Sequence, residues 1–87
     1  MPINEKFLEK QLEEISKAWE EVRDKNFKDL ESKLLIIRSF TFSLIHPEKF
    51  TDIQQEDLRK LAKELNYDAS TEFNKWWQPN QLSVLPT

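Results

Sequence analysis

Leu8, Leu12, Ile15, Trp19 and Val22 follow one another at steps of four, three, four and three, the spacing of one face of an α-helix. At about 100° per residue they fall in a stripe roughly 80° wide, with Glu9, Glu13, Lys17 and Glu20 on the other side. Glu13 and Lys17, like Glu21 and Lys25, stand one turn apart in the favourable order of acid before base. The pattern predicts a helix from Asn4 to Lys25. "DKNFKD" interrupts it, with Asn26 placed to cap a second helix and Asp29 to sit in its first turn. From Leu30 to Ile45 the chain reads "LESKLLIIRSFTFSLI". Its second half is apolar nearly all round the wheel, as the central helix of a small bundle must be. Ser39 to Leu44 also alternates in twos and is rich in β-formers, but only "QLSVL" near the end would offer such a strand a partner. The helix is the preferred reading.

Pro47 disfavours helical geometry at His46 and so ends the second helix. Thr51 and Gln54 have the spacing of a capping box. They open a third helix with Leu58, Leu61, Ala62 and Leu65 on one face and Asn66 as its left-handed C-terminal cap. Asp68 or Ser70 then caps a short fourth helix carrying Phe73, Trp76 and Trp77, which Pro79 stops. The expected fold is all-α: a small bundle of three longer helices plus a short fourth helix and an extended C-terminal tail. Residues 1–78 form a single helical domain and residues 79–87 the tail.

Composition narrows the chemistry. The 87 residues hold 16 Asp and Glu against 13 Lys and Arg, a formal net charge of −3, which gives no electrostatic reason to seek nucleic acid or an anionic membrane. Glycine is absent, so a phosphate loop or a dinucleotide fingerprint, which need backbone without a Cβ at the ligand, is excluded. Cysteine is absent too, and with it disulfides and thiolate metal sites. His46 is the only histidine and reads as a helix-end residue beside the negative end of the dipole. The paired carboxylates Glu13/Glu14 and Glu20/Glu21 point about 100° apart on a charged surface, with no sign of the desolvated pocket that tunes a catalytic acid. We expect no catalytic residues, no cofactor and no metal. The N-terminus is charged and lacks the apolar core of a signal peptide, and no stretch approaches the roughly 20 apolar residues of a membrane span. The expectation is a cytoplasmic protein.

"NKWWQPNQLSVLPT" carries the remaining functional signal. Trp76, Trp77, Leu82, Val84 and Leu85 concentrate apolar surface at one end of an otherwise polar chain. Tryptophan is enriched where proteins dock, and an extended apolar segment suits a partner's groove or sheet edge. These five residues are the candidate partner-binding site of a non-enzymatic interaction module, an adaptor, inhibitor or regulatory subunit. A second copy of the chain, held through the stripe of the first helix, is a further candidate partner. The alternative is a helix-turn-helix DNA-binding regulator built on residues 52–77, which look loosely like the helix pairs of such proteins. Charge tells against it. Asp52, Glu56, Asp57, Glu64, Asp68 and Glu72 outnumber Arg59, Lys60, Lys63 and Lys75, and carboxylates repel phosphates.

Overall fold

The computed structural model describes residues 4–68 and 72–76. They form α1 (Glu5–Asp24), α2 (Lys28–Ile45), a 3-10 turn (Pro47–Lys49), α3 (Asp52–Glu64) and the single-turn α4 (Phe73–Trp76), with no strand among the described residues. The expected helical character holds, including Ser39 to Leu44. That stretch alternates like a strand, but it lies in the last two turns of α2.

α1 starts at Asn4, whose side-chain oxygen accepts the Lys6 amide at 2.8 Å. Its end corrects one expectation. Asn26 does not cap α2: it sits at φ 64 and closes α1. The Phe27 amide donates to Val22 O at 3.2 Å and the Asn26 amide to Arg23 O at 3.1 Å, the paired bonds of a Schellman motif. α2 then begins at Phe27 with no side-chain cap. α3 ends in the same way. Asn66 stands at φ 59, the Tyr67 amide donates to Ala62 O at 3.0 Å and the Asn66 amide to Lys63 O at 2.9 Å. A glycine-free chain gives both left-handed positions to asparagine, the side chain that tolerates them best after glycine. In each motif the following residue, Phe27 or Tyr67, turns its ring toward the core.

α1 and α2 fold back on one another and bury Leu8, Ile15 and Val22 against Leu30, Leu34 and Ile37. The buried line of α1 is Leu8, Gln11, Ile15, Ala18 and Val22. Leu12 and Trp19, expected within the stripe, lie half-buried on the edge of the buried line. The shift has two causes. Ala18 is small enough to let α2 approach, and Gln11, only 2 % exposed, turns its side-chain oxygen to the backbone amide of Phe73 at the start of α4. Glu13 and Lys17 pair at 3.4 Å as expected. Glu21 and Lys25 form no ion pair among the described residues, since Lys25 is already the helix cap.

α3 lies along α2. Its start is the expected capping box, with Thr51 Oγ1 accepting the Gln54 amide at 3.1 Å and Gln54 Oε1 accepting the Thr51 amide at 2.9 Å. Within the helix only Ala62 is fully buried. α3 is anchored instead beyond its end, where the buried Tyr67 sets its hydroxyl 3.4 Å from Thr41 Oγ1 and its ring edge-on to Phe40, with centroids 6.2 Å apart.

The two asparagines give a direct check. Glycine removes the Cβ strain of a left-handed position and alanine keeps it without the local hydrogen bonding that eases asparagine. Asn66→Gly is therefore expected to raise unfolding free energy by about 0.5 kcal/mol, and Asn66→Ala to lower it by about 1 kcal/mol. Urea melts of the two variants read this, and the same order is expected at Asn26.

Candidate functional site

Between the second half of α2 and the second half of α3 runs an open groove of about 520 Å³. Phe40 and Leu44, one turn apart on α2, form one wall, and Arg59 and Lys63, one turn apart on α3, form the other. Tyr67 closes the floor, and Asn66 and Asp68 stand at its end. The walls differ because α3 turns its amphipathic face only partly toward α2. The basic half of α3 follows its acidic first turns, in line with the helix dipole, so the cations fall beside the aromatic floor. Arg59 is held by Glu56 at 3.2 Å. Lys63 has no carboxylate partner among the described residues.

The floor is polar beneath its rings. Thr41, fully buried, donates to Ile37 O at 2.8 Å and meets the Tyr67 hydroxyl. Burial pushes the Tyr67 phenol above its ordinary 10.0; the Thr41 hydroxyl opposes that shift, and the nearby Asp68 carboxylate adds to it.

Apolar side chains continue outside the groove. Leu44 at its wall is 38 % exposed, and Leu61 and Ile53 on α3 are 39 % and 75 % exposed. On the far side of α3 a second, shallower depression of about 300 Å³ lies between Ser39, Phe50 and Leu58. Thus α3 is flanked by a groove on each side and carries uncovered aliphatic surface of its own. By contrast Leu8, Ile15 and Val22 of α1 are spent on α2 within the bundle.

A third feature sits at the other end of the α1–α2 pair. The Trp19 ring carries two guanidinium groups, Arg23 at 4.5 Å and Arg38 at 5.7 Å from its centroid. Arg23 comes from one turn further along α1, and Arg38 reaches across from α2, its Nε donating to Ser16 Oγ at 3.0 Å. The indole Nε1 is buried and has no hydrogen-bond partner among the described residues.

Of the sequence-predicted docking residues, Trp76 is the last residue of α4, while Trp77, Leu82, Val84 and Leu85 lie outside the described residues. The helix pair expected over residues 52–77 is present as α3 and α4, with Phe73 turned into the core and its amide held at Gln11. The sequence reading missed the groove and the arginine pair. One signal was legible: Arg38 interrupts the apolar run "LLIIRSFTF", and a charge inside such a run needs a partner. Groups of three or more His, Asp or Glu side chains arranged to hold a metal do not occur among the described residues, and no described helix is long and apolar enough to cross a membrane. No family model matches the chain, and neither a curated protein nor a solved structure matches it.

Tyr67 is the only tyrosine in the chain, so phenolate absorbance reports the groove floor alone. Its midpoint is expected above 10.0. The folded state holds this proton more tightly than the unfolded chain. Its contribution to stability is therefore full below the unfolded value and is lost as pH rises from there through the folded value. Thr41→Val, which removes the hydroxyl that favours the phenolate, is expected to move the midpoint further up. A midpoint at or below 10.0 would contradict the buried, hydrogen-bonded floor.

Proposed function

We propose that this chain is a non-enzymatic helical protein–protein interaction module, an adaptor, inhibitor or regulatory subunit of a larger assembly. The observation that carries the reading is the open α2–α3 groove, with an aromatic floor, an exposed Leu44 wall and two cations on its rim. A groove between two antiparallel helices receives an amphipathic segment by taking apolar side chains on its floor and opposite charge at its edge. Uncovered Ile53 and Leu61 beside it extend the apolar area available to a partner. Catalysis finds few parts in a chain with one histidine and no cysteine.

The Trp-rich C-terminal end, with Trp76, Trp77, Leu82, Val84 and Leu85, belongs to the same proposal as a second contact. Its partner is another protein, nucleic acid is disfavoured by the acidic balance, and residence in the cytoplasm completes the reading.

Leu44 is exposed enough to be replaced without opening the core. The test uses three baits in lysate of the native host: the intact chain, the chain ending at Gln78, and Leu44→Glu, each checked by a melting curve. A partner retained by the intact chain and depleted at least about fivefold by Leu44→Glu, a loss of roughly 1 kcal/mol, is the expected result. Depletion by the shortened chain as well would put the C-terminal end in the contact. Equal recovery on all three baits, or substrate turnover by the purified protein, would overturn the proposal.

A further inference from the structure

The Trp19 cluster is separate from the groove, and its charges are unusual for this chain. Acids outnumber bases, and the ion pairs among the described residues engage Lys17, Lys28, Lys33 and Arg59, together with His46. Arg23 and Arg38 have no carboxylate partner among the described residues. Both instead lie against one indole, 4.5 and 5.7 Å from its centroid. Each gains from the electron-rich ring, and Arg38 is steadied by Ser16. Phenylalanine at position 19 would fill the same edge of the core without leaving a buried N–H unpartnered. What tryptophan adds is a wider and more electron-rich face for the guanidiniums.

Two guanidiniums laid against one ring still present N–H donors to an oxyanion, Arg38 beyond the Nε that it gives to Ser16, and arginine presents those donors in a planar fork that matches a carboxylate. Tryptophan and arginine are also the residues most enriched at the energetic centres of protein interfaces. We propose that Trp19, Arg23 and Arg38 form a docking point for an acidic segment of a partner protein, whose carboxylates meet the two guanidiniums. The inference rests on the reading of the chain as an interaction module, and it uses residues that the groove does not.

Complementarity here is local. A chain of net charge −3 gives a polyanion no general attraction, so binding of one points to a local cluster of cations.

The test is an NMR titration of the ¹⁵N-labelled full chain with a synthetic hexaglutamate peptide, and separately with inorganic phosphate. It reads the Trp19 indole N–H and the Arg23 and Arg38 Nε–H signals, with Trp19→Phe assigning the indole. Saturable shifts at these signals with the peptide are expected, weakening about tenfold or more between 50 and 300 mM salt as screening grows. Arg23→Gln, at an exposed position, is expected to weaken binding about tenfold, the scale of an interface hot spot. Arg38→Lys, which keeps the charge and loses the fork, is expected to fall between Arg23→Gln and the parent. Lys60→Gln, at an exposed position of α3 outside the groove, is expected to leave binding unchanged.

The proposal is overturned if the peptide moves none of these signals, if Lys60→Gln weakens binding as much as Arg23→Gln, or if phosphate binds as tightly as the peptide. Because Leu44→Glu lies elsewhere, loss of groove binding and loss of this site are told apart by which variant fails.

Discussion

The antiparallel seam between α1 and α2 is the interaction on which everything else in this protein depends. There two long helices bury whole side chains against each other, with Ile15, Leu34 and Ile37 fully enclosed. Each such side chain is worth roughly 1.5–3 kcal/mol removed from water, and in a domain of this size few of them stand between folded and unfolded. The turn that brings the helices together is a three-residue link fixed by Asn26 in a left-handed conformation. α3 adds Ala62 and the anchored Tyr67, and α4 adds Phe73, each attached to a face that the seam has already built.

Two buried polar groups decide how the later elements attach. Gln11 sits in the apolar line of α1 because its amide oxygen is the acceptor for the first backbone N–H of α4. A leucine there would take that acceptor away, and a lost hydrogen bond of this kind costs about 1 kcal/mol. Thr41 does the same for α3, offering its hydroxyl to Tyr67. In both cases a polar residue on a core face marks where a later part of the chain docks. α3 is pinned at its end and at Ala62, and the groove lies beside those anchors, between Phe40 and Leu44 of α2 and Arg59 and Lys63 of α3.

Local signals made the helices legible. Pro47, the Thr51–Gln54 box and Asn66 act within a few residues of themselves, and each did what its chemistry dictates. Asn26 was misassigned for a physical reason: asparagine suits both an N-cap and a left-handed C-terminal position. Which role wins depends on whether the residue after it opens the next helix, and here Phe27 does. Periodicity placed Trp19 and passed over Gln11, since it cannot show that the partner of Gln11 lies 62 residues along the chain or that Arg38 crosses from another helix. The groove was illegible because it is a gap between elements, set by how deeply α3 settles.

The central claim is a hierarchy, in which the α1–α2 seam carries the stability and α3 and α4 are held on it by a few anchors. Native-state hydrogen exchange measures this residue by residue. Amides around Ile15 and Ile37 are expected to exchange only through global unfolding, while those of α3 before Ala62 open at a lower free energy. Equal protection along α1, α2 and α3 would contradict the hierarchy, and so would a seam that opens before α3.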